Sequence, residues 1–482
     1  MRELLKNLRE AELLRPSLPA AGQGSALVLP VFACLAFVFP TAGQENKFVS
    51  EGTAPISFSR NIAPILQKKC VTCHGPEKAK GKFQLHTFEL LLKGGESKEP
   101  TVVAGKPDRS KLYQLITAKD EEDRMPQKDD PLPAKQIALI EQWIKEGARF
   151  DGADTNALLV TLVPKAPHPD PPVAYRQPVP ISALAFSPDG NELAAGGFCE
   201  ITIWNPANGT LLRRIKNVAQ RTQSLAYSPD GSLLAAVGGQ PGQSGEVVLL
   251  SAANGSLVKV LGTMTDTMLA VCFGPDGSRL AAGGADNTIH LYDVSSGKEE
   301  LTIQQHADWV MALAFNHDGT QLASASRDRT ARIYDARTGS LETTYTEHVA
   351  PVFAVAFSED GKRVYSAGRD KKIHIWNAKD GKKAGEITGF ENEVYKLLVH
   401  DGELFSCSAD KNVRQHNLSD QKLLRTFSGH EDWVYSLDYH PQTKRLASGS
   451  FDGDVRIWNV QDGQLMIAFK AAPGYSTTAA KK

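Results

Sequence analysis

At 482 residues, with 41% hydrophobic and 23% charged positions, the chain is long enough for more than one globular domain and has the composition of folded protein. A net charge of −1 gives no overall field toward nucleic acid or an anionic membrane. Six cysteines are too few for a disulfide framework at this length, so bridges are not expected to hold the fold.

In chain order, the first feature is the apolar run 26–39 (ALVLPVFACLAFVF). A polar stretch with Lys6, Arg9 and Arg15 precedes it, and Thr41, Ala42 and Gly43 follow. The run falls short of the ~20 residues of a comfortable membrane span and carries Pro30. It reads as the core of a secretory signal peptide over residues 1–43, cut near Ala42 or Gly43, which sends the mature chain to the periplasm. The alternatives are an uncleaved membrane anchor, or a lipoprotein modified at Cys34. The leading segment is long for a signal, so Met1 need not be the true start.

Residues 44–152 read as a first domain. Ser57 or Ser59 can cap a helix whose apolar face is Ile62, Ile65 and Leu66. That helix leads into Cys70-Val71-Thr72-Cys73-His74. Two cysteines two residues apart, followed at once by histidine, form the attachment signature of a c-type haem. The spacing places both thiols about one helical turn apart, able to add to two vinyl groups, while His74 presents an imidazole nitrogen to iron. With 6 Cys and 12 His in 482 residues, such an arrangement is expected by chance only about twice in a thousand such chains. A zinc site would need two further ligands nearby. Apart from this pair, no cysteine lies between Cys34 and Cys199. Cys199, Cys272 and Cys407 stand alone and read as small buried apolar residues.

For the sixth position on iron, Met125 is the only methionine between residues 1 and 264. It stands in a proline-stiffened loop, Arg124-Met125-Pro126, and a thioether there is the axial ligand of an electron carrier. His86, twelve residues after His74, is the other candidate, expected in an extended turn near the haem edge or in solvent. Residues 133–147 (PAKQIALIEQWIKEG) have apolar positions Ile137, Ile140, Trp143 and Ile144 at helical spacing, with Gly147 as a stop. Trp143 is expected to pack against the porphyrin or the first helix. Lys68, Lys69, Lys78, Lys80 and Lys82 surround the haem motif, and Asp120, Glu121, Glu122, Asp123, Asp129 and Asp130 flank the methionine loop.

Three separated motifs now stand in order: Asn61-Ile-x-Pro-Ile-Leu running to Cys70-x-x-Cys73-His74-Gly75, then Arg124-Met125-Pro126, then Ile140-x-x-Trp143-Ile144-x-x-Gly147-Ala148. In this order they resemble the planctomycete-type cytochrome c domain over about residues 55–150. The resemblance implies one covalent haem c per chain on Cys70 and Cys73, with His74 and Met125 as its iron ligands.

Residues 153–180 read as a linker dense in proline, which favours a stiff extended path. Within it, Ala157–Val163 is β-prone enough to add a strand to a neighbouring sheet. From residue 181 the chain repeats itself. Asp-Gly turns place glycines at 190, 231, 277, 319, 361 and 402, in steps of 41, 46, 42, 42 and 41. A seventh unit carries His440-Pro-Gln-Thr-Lys instead. Each unit ends on an aromatic or apolar residue with a polar successor, as in Trp204-Asn205, Tyr334-Asp335, Trp376-Asn377 and Trp458-Asn459. This period and ending resemble WD40 repeats, with seven units over 181–470 and a disordered tail over 471–482.

In that family a histidine, a serine, an aspartate and the tryptophan form a hydrogen-bonded network in each blade. The last unit, with Gly429-His430, Ser448, Asp452 and Trp458, matches most completely. His306 and His348 hold the same place in their units, and these histidines read as structural rather than as metal ligands or bases. Units 2 and 6 lack the tryptophan, and units 1 to 3 lack a clear Gly-His, so those blades are expected to be less stiff. Residues 464–469 can supply the outer strand of the last blade, with Ala157–Val163 as the competing choice.

The expected architecture is a small all-α cytochrome c domain followed by an all-β seven-bladed WD40 propeller. The expected function is electron transfer by an exported His/Met haem, with the propeller as docking platform for a protein redox partner or substrate. No catalytic residue is assigned. The competing readings are an oxidoreductase whose propeller holds a catalytic centre supplied by the haem, and a haem-containing scaffold or sensor. A membrane contact is expected only if the apolar run stays uncleaved.

Overall fold

The computed structural model describes residues 55–475 except 77, 98, 128, 129, 153 and 163–167. The apolar run 26–39 and the cleavage site expected after it lie outside the described residues, as does 476–482.

The N-terminal part is helical. Ser57 caps the start, its hydroxyl accepting from the Arg60 N–H at 3.0 Å. A π-helical turn, Phe58–Ile62, then runs into α1, Ala63–Lys69, with Pro64 in its first turn, where the missing N–H costs nothing. The short α2, Val71–His74, follows. Further helices are α3 (Phe88–Lys93), α4 (Lys111–Ile116) and α5 (Ala134–Lys145). Helix α5 buries Ile140, Trp143 and Ile144 and leaves Ile137 at the margin, as its spacing predicts. It stops at Gly147, whose φ of 98° suits glycine. Trp143 packs on the first helical segment rather than standing free, with its ring 5.4 Å from Phe58 and its indole N–H donating to the Arg149 carbonyl at 2.9 Å. Phe58 also meets Phe88 edge-on at 4.8 Å, so three aromatics tie the domain's ends to its middle.

The strand expected over Ala157–Val163 is not there. Leu159–Leu162 forms a short helix, α6, and Leu159 is buried in the helical domain's core. Leu158 instead bridges Thr87, and the Leu159 N–H bonds the His86 carbonyl at 2.9 Å. The apolar run is satisfied by the nearest core, which belongs to its own domain. The chain then reaches the repeat region already anchored: the His168 N–H donates to Asn217 at 2.8 Å, and its ring meets Glu246 at 2.9 Å.

Residues 184–470 form antiparallel sheets, six among the described residues. Units 3 to 7 each give one four-stranded sheet. Units 1 and 2 share a seven-stranded sheet, because one strand, Leu211–Tyr227, runs unbroken from the outer edge of unit 1 to the inner edge of unit 2. Its first part pairs with Phe198–Trp204 and its second with Leu233–Gln240. No Gly-His pair interrupts it, and the needed bend falls at Asn217, with φ of 60°. Leu465–Lys470 provides the outer strand of unit 7.

The two ends of the repeat region meet without sharing a sheet. The Ile181 N–H bonds the Ser450 carbonyl at 3.0 Å, Ser436 Oγ donates to the Ile181 carbonyl at 2.7 Å, and the Phe186 N–H donates to Asp438 at 2.6 Å. Residues 471–475, expected to be disordered, take part: Ala471 and Ala472 are buried, and the Pro473 carbonyl accepts from the Tyr175 N–H at 2.9 Å.

The internal network is most complete in unit 5, not in unit 7. There His348 lies 2.7 Å from Ser366 and 2.6 Å from Asp370, and the Trp376 indole donates to Ser366 at 3.0 Å. In unit 7 His430 and Trp458 both reach Ser448, but Asp452 turns to Ser450 and to Lys470 at 3.1 Å. The ammonium outcompetes the imidazole for the carboxylate, and His430 Nδ1 is buried without a hydrogen bond, 3.8 Å from Asp454.

Candidate functional site

The site is built on α2 and the turns that hold it. Cys70, Cys73 and His74 lie within one short helical stretch, with the Cys73 and His74 N–H groups both bonded to the Cys70 carbonyl at 3.1 and 3.0 Å. The two thiols and the imidazole are half-buried. Cys70 packs against the core beside Val71, where burial first, and Cys73 second, push its thiol up to about 12. That keeps it neutral, as an ordinary free thiol rather than a thiolate.

The returning segment fixes the histidine. His74 Nδ1 lies 3.3 Å from the Phe83 carbonyl, the Leu85 N–H bonds the His74 carbonyl at 2.9 Å, and the Gln84 amide reaches the Gly75 carbonyl at 3.3 Å. A carbonyl on Nδ1 selects the tautomer whose Nε2 carries the lone pair, the arrangement that orients a metal-ligating imidazole. Phe83 also sits against the ring, at 5.1 Å between centroids. Gly75 has no room for a side chain, since a Cβ would lie 2.6 Å from the Val71 carbonyl oxygen.

Met125 belongs to a different element. It is half-buried in the turn after α4, its N–H bonded to the Leu115 carbonyl at 3.0 Å, and the following Pro126 bond is cis. Arg124 pairs with Glu121 at 3.4 Å. His86 is neither extended nor in solvent. It sits in a bend before α3, half-buried, with Nδ1 buried and unpartnered, and burial lowers its pKa. The donor set of two thiols, an oriented imidazole and a thioether therefore fits a covalent haem, with a second imidazole held neutral in the same domain. Sequence reasoning missed the Phe83 carbonyl. A backbone acceptor leaves no trace in residue identity, and only the return of the chain shows it.

Two family models match the chain. One, described as Planctomycete cytochrome C, covers residues 70–129. The other, described as WD domain, G-beta repeat, covers 255–293, 297–335, 339–377 and 421–459. The chain joins a planctomycete-type cytochrome c domain to WD40 repeats. A search of curated proteins finds no match.

In the cytochrome domain the match begins at Cys70 and runs past Met125, so it spans the attachment motif and the methionine turn. Around the motif Lys68, Lys78, Lys80 and Lys82 are exposed. Lys82 is drawn off by Glu96 at 3.1 Å. Lys68, Lys78 and Lys80 take part in no ion pair among the described residues. The carboxylates before Met125 are exposed, with Asp120 also capping the Glu122 N–H at 2.9 Å. In the WD40 region the four matched stretches include units 5 and 7, which carry the histidine–serine–tryptophan contacts.

Proposed function

We propose that this protein is an exported c-type cytochrome that carries electrons, with its WD40 region as a docking platform for a protein redox partner. The observation that carries the reading is the Cys70–His74 stretch, a single helical turn with His74 turned by the Phe83 carbonyl so that Nε2 is its free donor. Cys70 and Cys73 would attach one haem c, and His74 and Met125 would ligate its iron. When bound, the group supplies one-electron iron chemistry, and two protein ligands leave no open position for substrate. The protein's own residues do the rest. Gly75 lets the chain return close to the motif, Phe83 holds the imidazole, and the turn on Leu115 presents the thioether.

We further read the seven repeat units as a seven-bladed ring, with units 1 and 2 fused through one strand and the ends latched by Ser436, Asp438 and Ser450. The apolar run 26–39 supports export to the periplasm, where covalent attachment would occur.

Haem staining after denaturing electrophoresis tests attachment, and Cys70→Ala or Cys73→Ala is expected to reduce it. Met125→Ala is expected to remove the weak long-wavelength band of a thioether–iron bond and to admit carbon monoxide to the reduced form. A wild type without stain would overturn the reading. If Met125→Ala left the spectrum unchanged while His86→Ala altered it, the sixth ligand would be His86.

A further inference from the structure

The seven-fold repetition provides an internal comparison that singles out unit 5. In units 4, 6 and 7 the residue paired across strands from the network serine is an arginine: Arg332 opposite Ser324, Arg414 opposite Ser406, Arg456 opposite Ser448. In units 4 and 6 the arginine meets the aspartate of the preceding turn, Asp328 at 3.7 Å and Asp410 at 2.8 Å; in unit 7 that aspartate, Asp452, meets Lys470 at 3.1 Å while Arg456 meets Asp454 at 2.7 Å. The buried carboxylate of those units thus has a permanent cation.

In unit 5 the same register position, opposite Ser366, is His374. Its Nε2 lies 3.3 Å from Asp370 Oδ2, the same oxygen that His348 Nδ1 approaches to 2.6 Å. The side chains of His348, Asp370 and His374 are 0%, 5% and 6% exposed. The second oxygen, Asp370 Oδ1, is buried with no partner at all. No lysine or arginine contacts Asp370 among the described residues. A nearly buried carboxylate with one orphaned oxygen and two imidazoles in place of a guanidinium is a site that lacks a cation.

The outer contacts are those a metal site needs. A ligating imidazole carries its proton on the nitrogen away from the ion and donates it to an oxygen. His348 Nε2 lies 2.7 Å from Ser366 Oγ, and His374 Nδ1 lies 2.7 Å from Tyr345 Oη, so both far nitrogens already face a hydroxyl. The Trp376 indole holds Ser366, and Tyr345 stacks on Trp376 with 4° between planes, which fixes both hydroxyls. Asp370 Oδ2 lies 2.6 and 3.3 Å from the two imidazole nitrogens, against the ~3.4 Å that separates tetrahedral ligands each ~2.1 Å from one ion, so an ion would replace the direct His348–Asp370 contact.

We propose that His348, Asp370 and His374 form a binding site for a borderline divalent transition cation of the zinc class, in unit 5 only. Imidazole and carboxylate donors suit zinc and its neighbours and not calcium or magnesium. Unit 3 has a histidine at the same register, His290, but it lies between Asp286 at 3.2 Å and Glu299 at 2.7 Å and is itself the cation. The inference stands independently of the haem reading, because it uses no residue before Tyr345.

The test is calorimetric titration of chelator-treated, haem-loaded full-length protein with zinc alone, together with zinc per chain after gel filtration. His374→Arg restores the ion pair of units 4 and 6, so it is designed to fold while removing two features of the site: one ligand and the need for a cation. The wild type is expected to bind one zinc more per chain than His374→Arg. Tyr345→Phe is expected to weaken that zinc by about 10-fold or more, through loss of the hydroxyl acceptor. Equal stoichiometry and affinity in the wild type and His374→Arg would overturn the proposal. Should His374→Arg fail to fold, a zinc affinity of Tyr345→Phe equal to wild type would overturn it as well.

Discussion

His290 and His430 occupy comparable blades and respond to pH in opposite directions. Burial opposes a charge on His290, but hydrogen bonds to Asp286 and Glu299 win and raise its pKa to about 9. Its folded value lies above the unfolded ~6.5, so its stabilisation is complete below pH ~6.5 and is lost as pH rises through about 9. His290→Asn should therefore lower the unfolding midpoint clearly at pH 6 and much less at pH 10, as read by thermal denaturation. For His430 burial, and then Arg456, lower the pKa to about 3, and Nδ1, 3.8 Å from Asp454, has no hydrogen bond to reverse that. Its contribution is present above pH ~6.5 and lost as pH falls toward 3. His416, lowered to about 4 chiefly by burial, adds to the same acid limb. The wild-type midpoint should fall on the acid side, and replacing His430 by Gln, which cannot gain a proton there, should flatten that limb.

The elements that join domains are held by one buried cluster. Glu200, fully buried, accepts from Tyr175 Oη at 2.6 Å and from Arg214 at 2.5 Å. Arg214 also donates to the Pro172 and Val173 carbonyls at 2.7 and 3.0 Å, and Tyr175 binds Pro473 through its backbone. Tether, first sheet and C-terminal segment thus share one ion pair. Arg214→Ala strands a buried carboxylate and should cost about 3 kcal/mol or more, measured by denaturant unfolding. Tyr175→Phe removes only one hydrogen bond and should cost about 1 kcal/mol. The helix α6 shows the same principle from the other side. Leu159 goes to the core it can reach, and the β-prone composition of its neighbours does not decide the outcome.

For the whole molecule, the docking we propose would depend on which charges remain free. With Lys82 held by Glu96, the exposed Lys68, Lys78 and Lys80 are the cations beside the attachment motif that make no ion pair among the described residues, opposite in sign to the carboxylates that precede Met125. On the proposed reading these charges would steer an acidic partner over a Debye length of about 8 Å at physiological salt. Second-order electron transfer with the true partner should slow steeply as ionic strength rises. Lys78→Glu with Lys80→Glu should slow association more than the step within the bound complex, by stopped-flow kinetics at two salt concentrations. A salt-independent rate would leave these lysines without a part in docking and the WD40 region as the sole platform.

Several features could be read directly from residue identity, because they depend on covalent spacing. Cys70, Cys73 and His74 are three residues of one turn, Met125 is the only methionine between residues 1 and 264, and Asp-Gly turns recur every 41 to 46 residues. The amphipathic stripe of α5 is local as well, since a helix shows its buried face in its own period. What local spacing cannot show is competition between partners brought together by folding. Lys470 takes Asp452 from His430, so unit 7, the best match in sequence, has the broken network, and unit 5 has the whole one. The Phe83 carbonyl on His74, the fusion of units 1 and 2 and the meeting of two imidazoles on Asp370 likewise arise between residues far apart along the chain or on neighbouring strands. Sequence period determined which residue types recur. Only the tertiary structure decided which neighbour each buried polar atom would find, because a desolvated group takes the strongest partner within reach, whichever strand supplies it.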